Sequence, residues 1–140
     1  MATAADGELV LRLYELRREE TLRAARKFMV FDFHPKNLEE LRAVSRDPKA
    51  PKNVHWRQAI SYWEMAASLV LQGALDATLF LDSNLEGILL YAKFHHFHAE
   101  TEKASGNPFM VQTATLIEKY PQAKARYETF LKTFGPSAVV

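Results

Sequence analysis

Residues 53–75, NVHWRQAISYWEMAASLVLQGAL, read as one long helix that is apolar around most of its circumference. The polar side chains of this stretch fall mainly at Arg57, Ser61, Glu64, Ser68 and Gln72, which keeps them on one narrow helical stripe. Trp56, Ala59, Ile60, Tyr62, Trp63, Met65, Ala66, Ala67, Leu69, Val70 and Leu71 cover the rest. A helix apolar nearly all round is either buried in protein or sunk in a membrane. Arg57, Glu64 and Gln72 interrupt the run, and a span needs about 20 mostly apolar residues, so the membrane reading fails. Asn53 is the expected cap and Gly73 the expected left-handed stop. This is the core helix that other helices must wrap.

Working outward toward the C-terminus, Asp76 caps a short helix to about Leu81. Ser83 with Glu86 makes a capping-box pattern that starts a longer helix to about Ser105, ended by Gly106. Asn107-Pro108 then opens a helix to Lys119. Pro121 opens the last one, to Phe134, stopped by Gly135-Pro136. Toward the N-terminus, RDPKAPKN is a proline-broken loop, and Asn37 with Glu40 starts a short helix from Leu38 to Arg46. Pro35 disfavours helical geometry at His34. Before it, Glu8 to about Phe31 reads as one long helix capped by Asp6, with Glu19 four residues before Arg23 in the favourable ion-pair order. No stretch alternates with period two, so no sheet is predicted. The expectation is all-α: a single domain, 1–140, of five or six helices around about 53–73. Its ends, 1–6 and 136–140, are expected to fray, and 47–53 to be a flexible loop.

Composition bounds the function. With 140 residues the chain can bury a core without staples, and its 48% apolar and 25% charged residues are ordinary for a globular protein. A net charge of +1 gives no field to hold nucleic acid or an anionic membrane. The absence of cysteine excludes disulfides, thiolate metal sites and cysteine nucleophiles. MATAADGELV lacks the basic-then-apolar pattern of a secretory signal, and with no spanning helix a cytoplasmic location is the default expectation.

Chemistry, if present, centres on YAKFHHFHAETE, Tyr91 to Glu102. On a helix, His95, His98 and Glu102 lie on one side at a spacing that metal ligands use, while His96 falls nearer the apolar side. No histidine has an acid three positions before it, so the paired Glu-x-x-His of di-iron bundles is missing. No second matched cluster exists, and neither metal nor cofactor is expected. Phosphate loops and nucleophile elbows are absent as well. Glu64 is the carboxylate to watch, because burial would raise its pKa and equip it as an acid or base. Arg12, Arg23, Arg26 and Lys27 could form a basic strip for an anionic partner, though glutamates are interleaved with them. The helix after Ser83 carries two apolar sides: Leu85, Ile88, Leu89 and Ala92 on one, and Leu90, Phe94 and Phe97 almost opposite. Such a helix is sandwiched between layers or offers one side to a partner.

Two stretches, LYELRREETLRAARKFMVFDFHPKNLEEL and YWEMAASLVLQGALDATLFLDS, resemble a group of small, uncharacterised all-helical bacterial proteins held as domains of unknown function. The resemblance covers most of residues 9–130 and consists of packing and capping patterns. It implies a helical fold and a bacterial, intracellular origin, and no activity. Related sequences with a similar YWE-to-LD segment often begin with a membrane helix, which this chain does not show.

The leading functional expectation is therefore a non-enzymatic interaction or scaffolding module. It would self-associate as a homodimer or hold another protein partner through Leu90, Phe94 and Phe97, without nucleic acid or membrane span. The second is a small-molecule or metal-binding protein with a pocket near Trp63, Tyr91 and the 95–98 histidines. An enzyme comes third.

Overall fold

The computed structural model describes residues 1–134, and nine α-helices follow one another there: α1 (Ala4–Arg17), α2 (Glu20–Lys27), α3 (Leu38–Ser45), α4 (Asn53–Leu71), α5 (Ala77–Ser83), α6 (Glu86–Lys93), α7 (His98–Ser105), α8 (Val111–Lys119) and α9 (Pro121–Thr133). A π turn (Phe28–Asp32) extends α2, and a 3-10 turn (His95–Phe97) joins α6 to α7. The described residues contain no strand, as the absence of period-two alternation implied. None of their helices is long and apolar enough to cross a membrane.

The core helix is where the sequence put it. α4 packs against α2, α3, α5, α6, α8 and the π turn, while α9 closes over α6 and α8. Trp56, Ala59, Tyr62, Trp63, Ala66, Ala67 and Val70 are buried along α4. The helix is not covered all round, since Met65 stays 44% exposed beside the polar stripe. Asn53 is not its cap. Lys52 holds that place without a side-chain bond, and Asn53 is a buried first-turn residue that donates to the Val44 carbonyl and accepts from Arg57. Its amide thus ties α3 to α4. Gly73 does stop the helix, at φ 80°, and Gly106 stops α7 at φ 78°.

Nine helices occur among the described residues where five or six were expected, and two of the additional ones come from long stretches that break. The stretch from Glu8 to Phe31 splits at Arg18-Glu19. Glu19 turns out of the helix at ψ 143° and its carboxylate caps α2, accepting from the N–H groups of Thr21 and Leu22. These bonds hold its pKa below the usual value, and no ion pair with Arg23 forms. Upstream, Thr3 rather than Asp6 is the cap of α1. Asp6 answers from the third helical position in a reciprocal capping box, so the helix begins at Ala4. The 136–140 tail lies outside the described residues.

The stretch from Ser83 to Ser105 breaks at Phe94, where the chain tightens into the 3-10 turn before α7. Glu86 does not complete a capping box with Ser83, since Leu85 is the cap residue and Glu86 turns to Arg26 and Trp63. Nor does Asn107-Pro108 open α8. That helix starts at Val111, after Met110 has taken a left-handed conformation.

Candidate functional site

The residues singled out in the sequence separate into several structural jobs. Leu90, Phe94 and Phe97 are 0%, 1% and 6% exposed. Phe94 lies against Phe33, Trp56 and Phe109, with ring centroids 5.5 to 6.0 Å away. The opposed sides of α6 are thus absorbed by the chain itself, between α4 on one hand and α8 and α9 on the other. The three side chains expected to face a partner are buried more deeply than Leu85 and Leu89, which are only half-buried.

The histidine cluster is held by the backbone. His95 donates from Nδ1 to the Ala92 carbonyl, His96 from Nε2 to Phe134 and His98 from Nε2 to Tyr91, since a carbonyl oxygen only accepts. His98 also stacks on Tyr91 with centroids 4.1 Å apart. Burial pulls its pKa down to about 4, against the bond to Tyr91 and together with the neighbouring His95 and His96 charges. The shared helical side expected for His95, His98 and Glu102 does not form, because the 3-10 turn separates His95 from α7. Among the described residues no three histidine or acidic side chains gather closely enough to hold a metal ion.

Glu64 is occupied structurally. Its carboxylate reaches across to α8 and accepts from the N–H of Gln112 and from the N–H and hydroxyl of Thr113, at 2.8 to 3.0 Å. A residue from another helix thereby caps α8, whose own cap residue, Met110, has no side-chain bond to offer. Two of the four cations of the basic strip are paired. Arg26 grips Glu86 through two nitrogens at 2.8 and 3.0 Å, and Lys27 pairs with Asp32 at 3.1 Å.

Sequence reading passed over Lys93. This lysine is buried between Ala92 and Phe94, and its ammonium donates to the Met29 and Val30 carbonyls of the π turn. Burial lowers its pKa to about 8, with the Asp32 charge opposing. A cation inside the otherwise apolar run 87–94 was the signal available. It serves to close a turn whose carbonyls the helix no longer satisfies.

The space around Trp63 is nearly filled, with only about 10 Å³ left among Trp63, Gly87, Thr113 and Leu116. Room for a ligand opens instead beside Trp56. A cleft of about 280 Å³ lies where α3, α4 and α7 meet the 106–110 loop. Trp56, Ile60, Phe109 and Met110 give it apolar surface; Thr101, Ser105 and Asn107 give polar groups; Ser45 and Arg46 stand at the α3 side. Tyr91 and His98 are packed against Phe109, with centroids 6.3 and 5.5 Å away, so the predicted pocket residues support the cleft without lining it.

The loop that forms this cleft passes through a left-handed residue at each end. Gly106 and Met110 are both left-handed, the latter at φ 46°, a conformation that L-residues other than asparagine and aspartate rarely hold. A residue such as Met110 keeps this conformation where its surroundings over-determine it, and such residues concentrate at functional sites. Ser105 Oγ sits 2.9 Å from the Thr101 carbonyl and accepts from the Asn107 N–H, bracing the turn from inside. The arrangement can hold a small molecule on an aromatic surface. It brings together no acid, base and nucleophile for catalysis.

The fold and cleft define a small all-α bundle with a recess beside Trp56. The chain belongs to the family described as a domain of unknown function (DUF4760), whose model matches residues 2–120. That match takes in α1 through α8 and every residue of the cleft. No curated protein and no solved structure matches the chain.

Proposed function

We propose that the protein is a non-enzymatic binding module that holds a small molecule in the cleft over Trp56 and Phe109. The observation supporting this reading is the meeting, in a recess of about 280 Å³, of aromatic surface, polar lining residues and a loop that holds a left-handed methionine. Small-molecule sites are concave, mostly apolar and largely pre-formed, and run from roughly 300 Å³ upward, so this one suits a small occupant. Glu64, the candidate acid, is committed to α8, and each of His95, His96 and His98 spends one ring nitrogen on a backbone carbonyl. A self-associating scaffold built on Leu90, Phe94 and Phe97 has less support, because those side chains are enclosed by the chain's own helices.

The test uses the Trp56 indole N–H as a reporter. Its NMR resonance, assigned with Trp56→Phe, is followed against mixtures of neutral, anionic and cationic single-ring and branched-chain compounds. A saturable shift of Trp56 with Trp63 undisturbed is the expected result. If no compound moves it at millimolar concentration, the binding reading is overturned.

A further inference from the structure

We infer that the occupant of the cleft is a small carboxylic acid with an apolar body, a single ring or a short branched chain, whose carboxylate is held on the α3 side by Arg46. The inference rests on the cleft being a binding site and adds the charge and size of what it binds.

The charge follows from which cations are already matched. At the recess on α2, Arg26 is satisfied by Glu86, which itself lines that space, and Lys27 by Asp32, while Arg23 has no ion-pair partner among the described residues. At the Trp56 cleft the pattern is different. Arg46 lines the cleft, and Arg42, one helical turn earlier on α3, lines a shallow extension of it past Leu41 and Ala104. Neither guanidinium has an ion-pair partner among the described residues. No Asp or Glu lines either space. Two exposed arginines one turn apart repel each other slightly, and an anion between them would relieve that.

The position of the charge is fixed by Glu64. The other positive feature near the cleft is the N-terminus of α8, where Val111 follows Met110. Its N–H groups at Gln112 and Thr113 are already taken by the Glu64 carboxylate, which would repel a second anion there. An anionic group therefore belongs at the α3 end, where the planar guanidinium fork matches a carboxylate.

The body of the ligand follows from the rest of the lining. Trp56, Ile60, Phe109 and Met110 offer apolar surface that a bare phosphate would leave unused. A volume of about 280 Å³ suits a compact body such as a single ring or a short branched chain.

The experiment titrates the full chain with 3-phenylpropionate, the neutral 3-phenylpropanol, 3-phenylpropylammonium and inorganic phosphate, each followed by the Trp56 indole resonance. The acid is expected to bind at least about tenfold more tightly than the alcohol, reflecting one charge-assisted contact. Arg46→Gln should remove most of the acid's advantage over the alcohol and leave thermal melting unchanged, and adding Arg42→Gln should remove the rest. Equal binding of acid and alcohol, or an acid preference that survives both substitutions, overturns this inference and leaves the cleft standing as a site. Binding by phosphate with no binding by the acid overturns the carboxylate assignment. If none of the four binds, neither the acid assignment nor the cleft as its site survives.

Discussion

The Glu64 carboxylate on α4 and Thr113 on α8, 49 residues apart, are joined twice, through the Thr113 N–H at 2.9 Å and its hydroxyl at 2.8 Å. Helix caps come from the residue just before the helix as a rule, and here that residue is a left-handed methionine. Removing the borrowed cap leaves Gln112 and Thr113 donors without partners next to a buried threonine. Glu64→Ala is expected to cost about 1–3 kcal/mol, the range for leaving buried donors unsatisfied. Urea unfolding gives the total, and amide exchange at Gln112 and Thr113 should quicken ahead of the rest of α8. A loss within ±0.5 kcal/mol, as at ordinary surface sites, would show the cap to be dispensable.

Gly87 decides how closely α6 approaches α4. A methyl group there would sit 3.1 Å from Trp63 Cβ and 3.3 Å from its Cγ. Alanine favours a helix over glycine by about 1 kcal/mol, so a loosely packed site would gain from the exchange. The contacting atom is the Cβ of a buried tryptophan and cannot swing away, so α4 and α6 must part. Gly87→Ala is expected to lose about 1–3 kcal/mol despite its better propensity, with the Trp63 indole bond to Glu86 disturbed. A variant as stable as the parent or more so would mean the helices have slack.

What the sequence disclosed here, and what it concealed, follow one physical division. Local signals were legible: the stripe of 53–75, the glycine stops at 73 and 106, and Asp76 as a cap that does accept from the Leu79 N–H. Partnerships between distant residues were not. Glu19 looked like an ion-pair member because its spacing to Arg23 is right, yet two adjacent N–H groups outcompete one exposed guanidinium. Asn107-Pro108 looked like a helix start, but Glu64 provides a better one three residues later. The cleft follows that pattern. Trp63 and Tyr91 marked an aromatic neighbourhood, and only the meeting of α3, α7 and the 106–110 loop places its opening at Trp56 instead.

Phe94 separates an interface from a core. It is 1% exposed and sits among Phe33, Trp56 and Phe109. Truncating such a residue costs about 3–5 kcal/mol, and a carboxylate adds the burial of a charge. Phe94→Asp is therefore expected to unfold the chain or strip most of its stability, read as lost ellipticity at 222 nm. Light scattering run alongside settles the alternative: a stable, fully helical monomer derived from a dimeric parent would return Phe94 to an interface.

His98 links the aromatic wall behind the cleft to pH. Its ring is packed on Tyr91 and donates through Nε2 to the Tyr91 carbonyl, and burial lowers its pKa from 6.5 to about 4. Between those values the unfolded chain binds a proton that the native chain does not, so native stability falls as pH falls. The contribution is fully present above about 6.5 and lost as the pH drops to about 4, in total on the order of 3 kcal/mol. His55, also lowered by burial, acts in the same direction, so the slope does not belong to His98 alone. His98→Phe keeps an aromatic ring against Tyr91 and removes the titration. Urea unfolding at pH 7 and pH 4.5 should therefore show a smaller drop in the variant than in the parent. The ring resonances of His98 should stay in the neutral, Nε2-protonated form until the pH nears 4. A midpoint close to 6.5 would mean that the ring leaves its place against Tyr91, and the wall supporting Phe109 would then be softer than its packing implies.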